Sequence, residues 1–470
     1  MRLTLLLACI SAIAVPLVAT GQELSCSSAV TLNGGTIEVA ADASGDDTEN
    51  LQCALTSAAE GGFRDVLLIS SSYSIGAVST RGFVGDLRGV SKGATLLEVQ
   101  NGSLTCADNN SITAAMEFQV GNASIRNMSI SVDSPCSDGN PASVIAFYSD
   151  QADCDARTVF GNVDRVVISG SGIQGSDTVF GITASAAPGC DVSTQKVLGT
   201  LKVNRSEIDN LDYGVQTSIG GGGQVDINYN TFENVGLPIS VLNANQSTTV
   251  LANKISFNDV DYSAASGLGT VGIYVASDAS SPAKNSTTIS KNTLTDGGYT
   301  ESGIAILVGQ LGKLIDHKMT VSSNTFRGSG NNTTGRGIAA LDTNDGIVTG
   351  NRFVSRSGAW IDISSGNISE GFVGSNVSGW AVVANDFDTS TADTDIILGE
   401  GTSGAIVGRT QGYPEVEDQT GNNDVLESAA SPSAAYSKRE RMRLPSTELE
   451  TVFKQHRSNL LRFTSMTDSQ

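Results

Sequence analysis

Three neighbours in "LIDHKM" (314–319), Asp316, His317 and Lys318, are of types that do acid–base work. A carboxylate, an imidazole and an ammonium side by side can supply a base, a proton donor and a cation for a negative substrate group. The same residues also make an ordinary solvated loop, because a single His without a partner motif specifies no reaction. A second cluster lies in "NDFDTSTADTDIIL", where Asp386, Asp388, Asp393 and Asp395 put four acids within ten residues. Oxygen donors this dense suit Ca²⁺. The segment lacks the EF-hand spacing and glycine, and a solvated acidic turn explains it as well. "GGGG" (220–223) is a turn with no helix after it to cradle a phosphate.

What must position these groups is a repeat. "INYNTF" at 227, "VLANKI" at 250, "ISKNTL" at 289, "VSSNTF" at 321, "VTGNRF" at 348 and "VVANDF" at 382 all read apolar-x-x-Asn-x-apolar. Their asparagines, Asn230, Asn253, Asn292, Asn324, Asn351 and Asn385, are 23 to 39 residues apart, the period of a solenoid. "ISGSGI" at 168 and "VNRSEI" at 203 fit with Ser in place of Asn, and "IRNMSI" at 125 fits loosely. A second signal, Gly before Ile or Val, recurs as "GIT" at 181, "GVQ" at 214, "GIY" at 272 and "GIA" at 303 and 337. Each unit therefore reads strand, Asn bend, strand, loop, Gly-led strand. In stacked coils the asparagines would adopt the left-handed bend and chain their amides upward as a ladder.

Alternation along the Gly-led strand gives a candidate binding row. If Val215, Ile239, Ile273, Ile304, Ile338 and Ile361 point inward, Gln216, Ser240, Tyr274, Ala305, Ala339 and Asp362 point outward, with Trp360 beside them. Small residues, aromatic rings and a few polar groups suit a sugar chain. Packing of the tryptophans under loops is the competing expectation. The candidate substrate-binding set is Gln216, Tyr274, Trp360 and Asp362.

Composition narrows the partners. With 28 basic and 49 acidic residues the chain carries −21, which argues against nucleic acid. Residues 1–21, a basic end, an apolar run and small residues, read as a secretory signal peptide, so export to the periplasm, cell surface or medium is expected. Past it, no segment is long and apolar enough to span a membrane. The remaining cysteines, Cys26, Cys53, Cys106, Cys136, Cys154 and Cys190, are even in number and candidates for disulfides of open connectivity. Asn-x-Ser/Thr sequons begin at Asn101, Asn109, Asn122, Asn127, Asn204, Asn245, Asn285, Asn331, Asn332, Asn367 and Asn376. In a eukaryotic secreted protein they would accept glycans, and a chain rich in Asn, Ser and Thr also makes many by chance.

With these repeats the chain resembles the right-handed parallel β-helix proteins of the pectate-lyase-like superfamily. "GDDTENLQCALTSA" (45–58) is similar to the capping helix that starts many members, and "IVGRTQGYPEVEDQTGNNDVL" (406–426) to a closing coil. The resemblance implies an all-β, single-stranded solenoid: an N-terminal segment and capping helix at 22–62, the β-helix at 63–426, and a linker and basic amphipathic tail at 427–470. It also implies an extracellular polysaccharide as partner. The Gly-His-Gly motif of the polygalacturonase-like members and the Trp-x-Asp-His strand of the pectate lyases are missing, and "WIDI" at 360 lacks the His. Two expectations stand. One is a protein that binds or processes a polysaccharide, as uronic-acid lyases and epimerases do, with no required cofactor and Ca²⁺ as the candidate ion. The other is a non-catalytic adhesin or structural module.

Overall fold

The structure, a computed structural model, describes most residues between 24 and 426. Residues 1–23 and 427–470 and a set of connecting segments, the longest being 105–112, 172–178, 186–197, 258–270, 277–285, 297–303, 329–335 and 365–376, lie outside the described residues. The signal-peptide and tail expectations fall there, as do Cys106, Cys154 and Cys190.

The chain is a right-handed parallel β-helix. Each coil contributes strands to three faces. A representative coil runs Gln224–Asn228, bends at Tyr229–Asn230, continues as Thr231–Glu233 and turns into the third face as Leu237–Val241. The next coil repeats this as Ser247–Leu251, Lys254–Phe257 and Val271–Val275, pairing in parallel register throughout. The third face is a twelve-stranded sheet from Val78–Arg81 to Val416–Asp418. Parallel strands need crossovers, and here the two other faces supply them.

The core follows from alternation. Val203, Ile227, Val250, Ile289, Val321, Val348 and Val382 stack on one face, and Ile208, Phe232, Ile255, Leu294, Phe326 and Phe353 on the next; none is more than 2% exposed. Each such burial contributes about 1.5–3 kcal/mol.

The six asparagines sit at one corner, at most 1% exposed. Each Nδ2 donates to Oδ1 of the next: Asn230 to Asn253 at 3.0 Å, Asn253 to Asn292 at 3.0 Å, Asn292 to Asn324 at 2.9 Å, Asn324 to Asn351 at 3.0 Å and Asn351 to Asn385 at 3.0 Å. Each Nδ2 also donates to a carbonyl of the preceding coil, as from Asn324 to Ile289 O at 3.0 Å. The same Oδ1 accepts a backbone N–H, as Asn351 Oδ1 does from Asn324 at 3.0 Å.

The bend departs from expectation in one respect. The left-handed residue is the one before the asparagine: Tyr229, Ala252, Lys291, Ser323, Gly350 and Ala384 have φ between 56° and 65°. The asparagine recurs at the corner for its amide, and its neighbour carries the conformational cost. The earlier coils are also re-registered. Ser206 does occupy the ladder position, its N–H donating to Asn230 Oδ1 at 2.9 Å. Val166 and Met128 precede it after left-handed Arg165 and Asn127, so "IRNMSI" is in register and Ser171 is not at the bend. There the corner is filled by apolar packing instead of amides.

Helix α1 (Thr48–Gly61) buries Leu51, Ala54, Leu55 and Ala58 at the N-terminal end and stops at left-handed Gly62. The Cys26–Cys53 disulfide ties the preceding segment to it. Cys136 is also disulfide-bonded.

Asn324→Ala removes two donated bonds and leaves Asn292's N–H and amide without their acceptor. Stranding buried groups costs about 1–3 kcal/mol each way, so the denaturation midpoint is expected to fall clearly. Asn385→Ala, at the ladder's end, is expected to cost less; equal losses would show that the ladder is not what the asparagines provide.

Candidate functional site

The outer side of the third face is built from two files that differ from the expected row in one place. Val215, Ile239, Ile273, Ile306, Ile338 and Ile361 align and are 0% exposed, so they are the inward file. Gln216, Ser240, Tyr274, Leu307, Ala339 and Asp362 align beside them as the outward file. Ile304 and Ala305 were expected to hold the fourth places, which belong to Ile306 and Leu307. Ala305, not Gly303, takes the position that Gly272 and Gly337 hold in the flanking coils, two residues later than the "GIA" signal suggests.

That position is a close approach of backbone to core. A Cβ on Gly272 would lie 2.6 Å from Ala305 O and 3.1 Å from the Leu294 side chain, and one on Gly337 would lie 2.8 Å from the Trp360 ring. Trp360 occupies the same position one coil on, since Ile338 and Ile361 pair and Ile338 N–H donates to Trp360 O at 2.7 Å. Its side chain therefore turns inward. Trp360 is 1% exposed, its ring centroid 5.1 Å from that of Phe353 and 6.4 Å from that of Phe326. The expectation of an outward Trp360 is corrected: it is core, filling the room that Gly337 leaves. Trp380 is also buried, its Nε1 donating to Thr343 O at 2.7 Å.

The rest of the face is an apolar cluster with two tyrosines on it. Leu237, Val271, Ile304, Leu307, Ala339 and Leu341 are buried, and the half-buried Tyr213 and Tyr274 pack against them. Phe180 stacks on Tyr213 with centroids 4.4 Å apart. Burial raises both phenols above the usual tyrosine range, with Asp212 adding to the effect at Tyr213, so both stay protonated donors at neutral pH. Half-buried Gln216 lies three residues after Tyr213 on the same strand and, across Ser240, in the file of Tyr274; its Oε1 is buried and has no hydrogen-bond partner. Asp362 is 6% exposed; its Oδ2 accepts from Arg336 Nε at 2.7 Å and its Oδ1 has no hydrogen-bond partner. At the other end of the face Arg81 grips Asp150 through Nε and Nη2, and Glu117 accepts from Ser79 and Gln119. So Gln216, Tyr274 and Asp362 share one file, with Asp362 shielded and Trp360 on the other side of the sheet.

The remaining candidates are dispersed. Asp316, His317 and Lys318 lie within strand Ile315–Ser322 and not in a loop. The register slips between Asp316 and Met319, a bulge that contains His317 and Lys318. Lys318 is exposed; the side chains of Asp316 and His317 lie outside the described residues. Of the acidic cluster, Asp386 is paired with Arg352 at 3.6 Å, and Asp395 Oδ2 accepts from Glu415 N at 3.2 Å. Asp393 and the Asp388 side chain lie outside the described residues. Among the described residues no three acidic, His or Cys side chains come together as a metal site, and no helix is long and apolar enough to cross a membrane.

Sequence reasoning missed Tyr213 and Phe180. The signal was present: each stands just before a Gly of the Gly-led strands, as Phe180-Gly181 and Tyr213-Gly214.

Trp360→Ala is expected to lower stability by about 3–5 kcal/mol, as loss of a buried aromatic does, measured by denaturant unfolding. A near-neutral result would mean that Trp360 is not part of the core.

No protein-family model matches the chain, and no curated protein matches it. Among solved structures it is similar to the Dettilon tailspike protein gp208, at 13% identity over 82% of this chain and 70% of that one, with a TM-score of 0.38. It is similar to the A-module of the Azotobacter vinelandii mannuronan C-5 epimerase AlgE4, at 12% identity over 84% and 97%, with a TM-score of 0.35. It is also similar to the Streptococcus pneumoniae surface protein and adhesin PfbA, at 11% identity over 81% and 95%, with a TM-score of 0.30. What stands on the chain's own hydrogen bonds is the architecture: a parallel β-helix with a tyrosine-bearing outer face.

Proposed function

We propose that this β-helix is an exported protein that binds an extracellular polysaccharide on the outer side of its third face. The observation that carries the reading is the pair of half-buried tyrosines, Tyr213 and Tyr274, on one apolar cluster beside Gln216. A sugar ring offers an apolar face to an aromatic ring and hydroxyls to polar groups at its edge. The phenol O–H groups donate to the hydroxyls.

The charges favour an uncharged glycan over a polyuronate. Arg336 is committed to Asp362 and Arg81 to Asp150, so among the described residues the cations on the strands of this face are neutralised by their own neighbours. A chain at −21 also repels a polyanion at long range. Recognition, rather than lysis or epimerisation of a uronic acid, is the role these groups suit.

The test is titration of neutral and uronic-acid polysaccharides into the wild-type protein, Tyr213→Ala and Tyr274→Ala. An aromatic contact is worth about 0.5–1.5 kcal/mol, so each variant is expected to lose roughly twofold to tenfold in affinity while staying folded at the temperature of the titration. Binding of uronic-acid chains alone, or full affinity in both variants, would reject the reading.

A further inference from the structure

We propose that Asn122 is an N-glycan acceptor and that its first sugar packs on the exposed side chains of Phe160 and Val84. The inference rests on one juxtaposition on the first face. Val84 pairs with Asn122, and Ala123 pairs with Gly161, which sets Phe160 on the other side of Asn122. The three form one outward file, Val84, Asn122, Phe160, with neighbours about 4.8 Å apart. Val84 is 49% and Phe160 40% exposed, among the largest apolar exposures on the described residues. Asn122 is itself exposed and opens the sequon Asn122-Ala123-Ser124. No described hydrogen bond engages its side-chain amide.

The other described sequons are placed differently. Asn101 donates its amide to Asp133 at 3.2 Å. Asn127 is the left-handed corner residue of its coil, at φ 58°. At Asn204 the sequon serine, Ser206, is buried in the ladder position. The ladder asparagines cannot be sequons at all, because the residue two positions on is an inward apolar one, such as Phe232 or Phe326. Among the described sequons only Asn122 places its amide between two uncovered apolar side chains.

The chemistry is amide glycosylation in a secretory lumen. The Asn122 side-chain nitrogen attacks C1 of a lipid-diphosphate-linked oligosaccharide. The N–C1 bond forms, the C1–O bond breaks, the amide releases one proton and the lipid diphosphate departs. The first N-acetylhexosamine then lies in the file, where its apolar face can cover Phe160 and its edge can meet Val84.

Two measurements test this. Peptide mass spectrometry of the full chain isolated from its own source is expected to find N-acetylhexosamine on the peptide that holds Asn122, and enzymatic deglycosylation is expected to convert that residue to Asp. An unmodified Asn122 overturns the proposal. For the packing, the full chain secreted from a eukaryotic host is compared before and after deglycosylation. Wild type is expected to lose on the order of 1–2 °C in melting temperature when the sugar is removed, the scale of one aromatic contact in a chain this long. Phe160→Ser is expected to lose none while remaining glycosylated, and Asn122→Gln, which spares the Ser124 hydroxyl that accepts from Asn162 Nδ2 at 2.9 Å, is expected to remove the sugar and reproduce the loss. Equal shifts in wild type and Phe160→Ser overturn the contact, and self-association of the glycosylated wild type through this file would assign Phe160 to a second copy instead.

Discussion

The stacked amides at the corner are the constraint on which the rest of the structure depends. A coil must turn sharply between its first and second strands, and the turn buries backbone N–H groups that water cannot reach. Each asparagine meets that need twice, with Oδ1 taking an N–H of the preceding coil and Nδ2 filling that coil's carbonyl. Leaving such groups unmet would cost more than the coil's own hydrophobic contacts could easily return. Because the amides also join one another, the corner fixes register: the strand that enters it keeps one phase at the bend from Asn230 to Asn385, and the slips fall away from it, between Asp316 and Met319 on that face and between Arg352 and Val354 on the next.

That phase is what makes an outer face possible. Once Ile227 and Phe232 are inward, the chain reaches the third face in a set orientation, and Ile239 and its equivalents are inward there as well. Tyr213 and Tyr274 then stand on the same side of the sheet although 61 residues apart in the chain. Their rings are held by Leu237, Val271 and Ile304 and not by polar contacts. Such a surface is rigid and only moderately polar, which suits repeated ligand units more than a single reacting atom.

The repeat was legible because its physics is local. An asparagine flanked by apolar residues at fixed offsets leaves few alternatives, and the ladder position could be written down residue by residue. The left-handed residue was assigned one place too late, since Tyr, Ala, Lys and Ser are not types that announce positive φ. The Gly-led strand misled in two coils for one reason. Its glycine marks a place where a side chain would enter the core, and that place tolerates Ala305 or, where Gly337 makes room, Trp360. Strict alternation therefore sent Trp360 outward. His317 was read as loop because a bulge and a loop look alike in sequence, both breaking the period of two.

The ladder also bears on how a chain of this kind changes length. Each rung bonds only to the rungs on either side, and the intervals between rungs run from 23 to 39 residues without disturbing the corner. Excising residues 231–253 would bring Asn230 directly under Asn292, with every amide bond of the corner available to be remade. A gene for such a chain can gain or lose whole coils by unequal recombination and still encode a closed core, so the extent of the rod is a quantity that heredity can adjust one turn at a time.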